Sequence, residues 1–213
     1  MRRRRVGIVG GGLLIIILII LSVYFHEFLR EDIDESWLKP GSYVIYEQFF
    51  VWDENSEVDY MAWNVTKLWN GFIDLHLRSH GVNITGLMVE LTVGDANLTA
   101  DAATRKVVNG SDIVAYYIDK KWPFWIETNV TTGSTVDIWY GVTTIIGNDS
   151  IYVLGQQRNC WIIQYNWPSG SMKRWYDESS GILLKIHNVL YRQGFTIVVT
   201  ETAVMTNIDS LHP

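Results

Sequence analysis

Apolar and polar residues alternate with a period of two along most of the chain after Tyr43. The alternation is clearest at 72–79, 86–93 and 195–205, where apolar residues mostly occupy one parity. A period of two is typical of strands with one buried face and one wetter face. The pattern therefore predicts an all-β domain.

Short turn signals such as Asn70-Gly71 and Gln193-Gly194 separate the apolar runs, which favours an antiparallel meander. Because strand twist accumulates, so large a sheet must curl strongly into a half-barrel or barrel, or fold into a sandwich. At most one short helix is expected, at 123–129, where Pro123 fits a first turn. About ten or eleven strands are expected once neighbours merge. The apolar runs lie at 43–52, 59–69, 72–79, 86–93, 97–107, 113–119, 135–140, 142–146, 150–155, 159–166, 172–177, 182–191 and 195–205.

Residues 6–25 form an apolar run without charge or proline. At about 1.5 Å per residue, a helix of this length spans the hydrocarbon core of a bilayer. The run is longer than the core of a cleaved signal peptide, and no small-residue cleavage site follows it. A buried core helix fits less well, because the run has no charged residue over this length. A pilin-like leader fits less well, because no matching processing site precedes the run. We therefore expect a transmembrane signal anchor.

The apolar run also divides the charges. Arg2–Arg5 precede it and all 23 acidic residues follow His26, so the net charge of −6 hides a strong asymmetry. Basic flanks stay on the cytoplasmic side of a membrane segment. The expected organisation is a cytoplasmic basic tail at 1–5, a signal anchor at 6–25, an acidic stalk at 26–41 and an extracytoplasmic β domain at 42–213. The acidic excess argues against a nucleic-acid partner.

Six of the 12 asparagines lie in N-x-S/T sequons, the acceptor pattern of N-glycosylation. Serine and threonine make up only 28 of 213 residues, so six exceeds chance. The alternative is that these are ordinary asparagine turns with threonine favoured by strands. The excess agrees with an external location. The predicted glycosylation sites are Asn64, Asn83, Asn97, Asn109, Asn129 and Asn148.

The single cysteine, Cys160, lies in an apolar run and is predicted to be a buried thiol. One cysteine cannot form a disulfide within the chain, whereas eukaryotic extracellular domains usually contain several disulfides. A glycosylated external domain without disulfides therefore suggests an archaeal cell surface.

All ten tryptophans follow the apolar run. In a curved sheet, large rings either fill the core or line a cavity for an apolar ligand. Both interpretations remain open. The candidate cavity residues are Trp63, Trp69, Trp122, Trp125, Trp139, Trp161 and Trp175.

The sequence contains no catalytic, nucleotide-binding or zinc motif. The acidic turn at 53–59 does not match a calcium loop and is interpreted as a solvated hairpin tip. His76 and His80 have helical spacing within a strand, which gives no zinc site. We expect no catalytic residue, no metal site, no cofactor and no enzymatic activity.

The run from Trp175 to Leu183 has the pattern W-Y-D-x-x-x-G-I-L and predicts a strand, a tight turn at Gly181 and a returning strand. It resembles a motif of uncharacterised membrane-anchored archaeal surface proteins, and the similarity covers about residues 84–208. The resemblance implies a curved antiparallel sheet like that of lipoprotein-carrier (Lol-type) half-barrels, and it transfers no active-site residue. No lipobox cysteine lies near the N-terminus, so we do not expect a lipoprotein.

Together these features predict a single-pass, outward-facing membrane glycoprotein that acts as a binding or structural module of the cell envelope. One alternative is a carrier or sensor of an apolar ligand such as a lipid, using an aromatic-lined cavity. Another is a subunit of a larger membrane complex or surface filament. The expected partners are the lipid bilayer, through residues 6–25, and an apolar ligand or an envelope protein.

Overall fold

The structure, a computed structural model, describes residues 37–85, 88–111, 117–138, 141–192 and 194–211. Most of these residues lie in eleven strands, and a 3-10 turn at Asp209–Leu211 follows the last one. The strands are β1 (Tyr43–Trp52), β2 (Asn55–Trp69), β3 (Phe72–Thr85), β4 (Met88–Asp101), β5 (Val107–Gly110), β6 (Thr135–Ile138), β7 (Gly141–Val153), β8 (Gln156–Trp167), β9 (Gly170–Asp177), β10 (Leu183–Arg192) and β11 (Phe195–Thr206).

All eleven strands form one antiparallel sheet in the order β5-β4-β3-β2-β1-β11-β10-β9-β8-β7-β6. The first and last strands pair in the middle, and a meander runs from each to an edge. β5 and β6 are consecutive in the chain but form opposite edges, so the sheet is open. The prediction of an all-β fold with a curved antiparallel sheet is confirmed.

The connection between the two edges runs back across one face of the sheet. We call residues 117–130 of this connection the crossing segment, and the face that it covers the inner face. Tyr46 of β1 and Trp63 of β2 lie on the inner face, and both are fully buried. Their rings contact Phe124 of the crossing segment. The core therefore lies between the inner face and the crossing segment.

Two predicted turns lie inside strands. β4 joins the run at 86–93 to the first part of the run at 97–107, which ends at Asp101 instead of continuing to Val107. β3 continues to Thr85, so only residues 86–87 separate β3 from β4. β7 merges the runs at 142–146 and 150–155. A bulge between Ile145 and Gly147 accommodates the Gly147-Asn148 pair, and Asn148 lies opposite Trp161 of β8. A bulge absorbs an irregular residue without ending the strand, which sequence patterns do not reveal.

The predicted helix at 123–129 is wrong. The backbone of this segment is extended, and Trp125 forms a β-bridge with Ile182. The carbonyl of Phe124 accepts the N–H of Leu183 at 2.9 Å. A helix would use these backbone groups internally, whereas here they bind the sheet.

Residues 1–36 lie outside the described residues, and with them the predicted basic tail, the signal anchor and most of the acidic stalk. Trp37 and Leu38, which we placed at the end of the stalk, are buried in the core. The described part of the chain contains no helix with the length and apolarity that crossing a membrane requires.

Candidate functional site

The crossing segment brings an aromatic cluster onto the inner face. Trp37, Trp63, Trp122, Phe124 and Trp125 are all buried. The ring centroids of Trp37 and Trp125 are 5.7 Å apart, and those of Trp63 and Trp125 are 5.9 Å apart. Aromatic pairs at such distances add about 0.5–1.5 kcal/mol each beyond the burial of their surface. At this end of the sheet the rings pack against one another.

The hairpin between β9 and β10 holds the crossing segment in place. The hydroxyl of Tyr176 donates to the carbonyl of Pro123 at 2.8 Å. The N–H of Ile126 donates to the carbonyl of Gly181 at 2.9 Å. The W-Y-D-x-x-x-G-I-L run is therefore the docking site of the crossing segment.

Asp177 fixes the shape of this hairpin. Its side chain is almost fully buried, and its Oδ2 accepts hydrogen bonds from the hydroxyl of Ser179 and from the N–H and hydroxyl of Ser180. Gly181 follows with a φ of 71°, a conformation that residues with a Cβ rarely adopt. The aspartate and the glycine of the motif are thus explained by turn geometry.

Arg105 ties the crossing segment to both edges of the sheet. Its guanidinium is fully buried and donates to the carbonyls of Trp122 and Trp125 at 3.0 and 2.8 Å. It also donates to the carboxylate of Glu127 at 3.0 Å and to the carbonyl of Asp137 in β6 at 3.1 Å. Arg105 itself lies between β4 and β5, so one side chain links the two open edges.

The guanidinium of Arg105 keeps the side chain of Glu127 ionised. Partial burial alone would raise the pKa of Glu127, but the charge and hydrogen bonds of Arg105, with help from Lys121, hold this pKa below its usual value. The backbone of Arg105 has a φ of 60°, which is uncommon for a residue with a Cβ. The surrounding contacts must therefore stabilise this conformation.

A second group of polar side chains lies on the inner face, beyond the aromatic cluster. Gln48 of β1 is opposite Glu201 of β11, and its Nε2 donates to the carboxylate at 3.0 Å. Burial raises the pKa of Glu201, opposed by this hydrogen bond and by the charge of Arg174. Among the described residues, Gln48 Oε1 and Asn188 Oδ1 are buried without a hydrogen-bond partner. Buried polar oxygens normally accept a hydrogen bond, and leaving them unpaired costs stability.

The seven candidate cavity tryptophans do not form one group. Trp63, Trp122 and Trp125 belong to the aromatic cluster, Trp161 is half-buried in β8 and Trp139 lies outside the described residues. The use of these residues as a ligand cavity stays a prediction.

Trp69 lies on the opposite face from Trp63, although both residues have odd numbers and a regular strand would put them on the same face. A bulge between Val65 and Lys67 shifts the register of β2. The indole N–H of Trp69 donates to Asp74 at 2.9 Å. Ile73 and Leu75, which flank Asp74 in β3, are buried on the inner face. Asp74 and Trp69 therefore lie on the other face of the sheet, which we call the outer face.

Trp175 also lies on the outer face. Its ring lies between the ammonium groups of Lys173 and Lys185, 4.6 and 5.4 Å from the centroid. Its indole N–H donates to Asp149 at 3.3 Å, and this hydrogen bond lowers the pKa of Asp149. The two lysine side chains cover the ring, which is buried, and such cation–π contacts stabilise it without a ligand.

Most of the sequon asparagines are exposed enough to carry a glycan. Asn64 is half-buried in β2, and Asn83 lies in a part of β3 whose side chains are outside the described part. The other four are exposed to solvent: Asn97, Asn109, Asn129 and Asn148.

The structure tests two smaller predictions. Asp53 and Glu54 form an exposed two-residue turn between β1 and β2, which confirms an acidic hairpin tip, but the turn is shorter than the predicted 53–59 because β2 begins at Asn55. Cys160 is fully buried, as predicted, and burial together with nearby carboxylates raises its pKa to about 12. In the described part of the chain, no three His, Cys, Asp or Glu side chains converge to hold a metal ion. The nearest partner of His76 is Asp95, at 3.6 Å.

Sequence reasoning missed the residues that organise the inner face. Arg105 lay within a predicted strand, and Trp37 lay beside acidic residues, so neither stood out. The terminal nitrogens of Arg105 donate to three carbonyls and one carboxylate. These contacts depend on a chain crossing that no local sequence pattern encodes. Only the motif at 175–183 marked this region.

No family model matches the sequence, and no curated protein matches it significantly. Solved bacterial structures are similar at low identity. A protein from Parabacteroides distasonis described as a lipoprotein is 9% identical with a TM-score of 0.43, covering 80% of this chain and 96% of that one. A protein from Bacteroides fragilis described as exported, with a YmcC-like fold, is 8% identical with a TM-score of 0.42, covering 79% and 96%.

The lipoprotein YmcC from Escherichia coli is 9% identical with a TM-score of 0.29, covering 75% of this chain and 87% of that one. The chain is thus similar to bacterial proteins described as lipoproteins or exported proteins. With TM-scores this low, no residue role is transferred from them. The archaeal source and the relation to proteins with the W-Y-D motif stay predictions.

Proposed function

We propose that this chain is an outward-facing glycoprotein of a cell envelope, anchored through residues 6–25, whose β domain is a binding or structural module. The observation that carries the proposal is the exposure of the sequon asparagines. Four of the six are solvent-exposed in the folded domain, which glycosylation of a surface requires. The division of charge around residues 6–25 supports the outward orientation of the domain.

The stabilising contacts of the described domain also suit an external module. They consist of a packed aromatic cluster, the buried Arg105 and a hairpin that docks the crossing segment. None of these requires a disulfide, and Cys160 is free. The sheet thus has a continuous core independent of the redox state of its surroundings.

Glycopeptide mapping of the protein purified from its own cells tests this proposal. We expect a mass increase on peptides that contain the exposed sequons, with Asn129 as the clearest case. Peptides without a sequon serve as the internal control. Unmodified asparagine at all six positions would contradict the glycoprotein assignment.

A second candidate function, a carrier of an amphiphilic ligand, is favoured by the two unpaired oxygens. Gln48 Oε1 and Asn188 Oδ1 lie in strands on either side of β11, next to the buried Phe50 and Val199. Phe50 is opposite Val199, and Val199 is opposite Asn188. A ligand with an apolar chain and a hydrogen-bond donor could pack its chain against Phe50 and Val199 and donate to the unpaired oxygens.

Native mass spectrometry of the detergent-purified chain tests this second candidate. A bound molecule that is retained by the wild type and lost from a Gln48→Leu variant would support a carrier. Glu47→Gln, on an exposed neighbour in the same strand, is the matched control. A ligand-free wild-type protein after gentle extraction would contradict it.

A further inference from the structure

Among the described residues, two of the six sequon asparagines lie in strands that are paired on both sides at that point. Asn64 is in β2, opposite Tyr43 of β1 and His76 of β3. Asn97 is in β4, also opposite His76, and its carbonyl accepts the N–H of Ser111 at 2.9 Å. Both strands have a neighbour on each side. The backbone of these sequons is therefore held in the sheet.

The hydroxyl groups of the same two sequons are engaged by one residue. Thr66, which completes the Asn64 sequon, donates its hydroxyl to the carbonyl of Asp74 at 3.0 Å. Thr99, which completes the Asn97 sequon, donates to Asp74 Oδ1 at 2.7 Å. A transferase that recognises Asn and the hydroxyl two residues later would have to break these contacts.

The hydroxyl of Thr131 is 3.3 Å from that of Ser134, a neighbour in the same turn rather than a residue of another strand. The sequon of Asn129 also differs from the other two in its backbone setting. It lies between the crossing segment and β6, outside any strand, and Asn129 and residues 131–133 are exposed. The N–H of Thr131 donates to the hydroxyl of Ser134 at 3.0 Å, a contact within one turn. Loops of this kind open at a small fraction of the free energy that opening a central strand requires.

We propose that Asn64 and Asn97 accept a glycan only before the sheet forms, whereas Asn129 accepts one in the folded domain as well. This inference rests on the proposed function. In the transfer, a bond forms between the asparagine Nδ2 and the anomeric carbon of a sugar. The bond from that carbon to the phosphate oxygen of a polyprenyl-phosphate carrier breaks, and the amide proton leaves with the released phosphate. The folded strands hold Asn64 and Asn97 away from the conformation that this reaction needs.

Cell-free synthesis of the full chain in detergent or vesicles tests the proposal. A single-subunit oligosaccharyltransferase and its lipid-linked oligosaccharide donor are added either at the start or after the completed chain has folded. Glycopeptide mass spectrometry then gives the occupancy of each sequon. Addition at the start should modify all three asparagines. Late addition should modify Asn129 to a similar extent and lower the occupancy of Asn64 and Asn97 by roughly tenfold or more.

Two controls accompany the experiment. Synthetic peptides show whether the enzyme accepts each sequon without the fold; they cover residues 60–69, 93–102 and 125–134. A Thr131→Ala chain should lose only the Asn129 glycan. Equal occupancy of Asn64 or Asn97 in early and late reactions would overturn the proposal. So would a folded chain that is unmodified at Asn129, or an early reaction that leaves Asn64 and Asn97 bare while their peptides react. Absence of glycans on protein from its own cells would contradict the proposed function and leave this timing result unchanged.

Discussion

Gly181 and Ile126 meet backbone to backbone where the crossing segment lies against the β9–β10 hairpin. The N–H of Ile126 donates to the carbonyl of Gly181 at 2.9 Å, and a Cβ added to Gly181 would clash with the carbonyl oxygen of Ile126. No side chain fits between them. This contact explains why a glycine occupies position 181.

Replacing Gly181 by alanine should strongly destabilise the domain. The φ of 71° disfavours a Cβ by about 1–2 kcal/mol, and the clash adds about 1–3 kcal/mol. Gly194→Ala is the matched control, because its φ is 92° and no atom lies within 4 Å of the added Cβ. Denaturant unfolding followed by tryptophan fluorescence measures both. Equal losses of unfolding free energy would show that the close approach has no energetic role.

Removing the guanidinium of Arg105 should destabilise the domain, because this group connects the two edges of the sheet. Arg105→Ala leaves the carboxylate of Glu127 and three carbonyls without their donor, and breaking such a buried pair costs about 3–5 kcal/mol. Lys106→Ala is the control, since its ion pair with Asp119 is exposed and contributes at most about 1 kcal/mol. A loss for Arg105→Ala no larger than that of the control would contradict the described network.

Some of these features could be predicted from the sequence and others could not. Met61, Trp63 and Val65 share the buried face of β2. The period of two accounts for them and predicted the strands, because alternation follows directly from the pleat. It failed at Trp69, since the bulge after Val65 reverses parity without a sequence signal. The motif at 175–183 was recognised as a hairpin, but its partner, the crossing segment, lies about fifty residues earlier in the chain.

The carboxyl group of Glu201 should make stability depend on pH in a defined direction. Its pKa is raised by burial, so the folded state binds the proton more tightly than the unfolded state. The stability that it contributes is complete below the unfolded pKa, about 4.3, and is lost as the pH rises through the folded value. Glu201→Gln cannot ionise and should gain stability relative to the wild type over this range. Unfolding free energies of the two proteins that differ by a constant at every pH would contradict the raised pKa of Glu201.

Cys160 should be inert in the folded chain. Burial raises its pKa to about 12, and the thiolate is the reactive form. Iodoacetamide at about pH 8 should leave the native protein unmodified and alkylate it fully in denaturant, as read by intact mass. β8 is paired with β7 on one side and β9 on the other, so we expect it to stay closed. Rapid alkylation of the native chain would show that this region opens and would contradict the prediction.

The outward orientation of the β domain is the central claim, and surface labelling of intact cells tests it most directly. Lys39, Lys67 and Lys106 have exposed side chains in the described domain. A membrane-impermeant amine reagent, followed by peptide mass spectrometry, should label them in intact cells as fully as in lysed cells. Labelling only after lysis, alongside a labelled known surface protein, would place the domain inside and contradict the account.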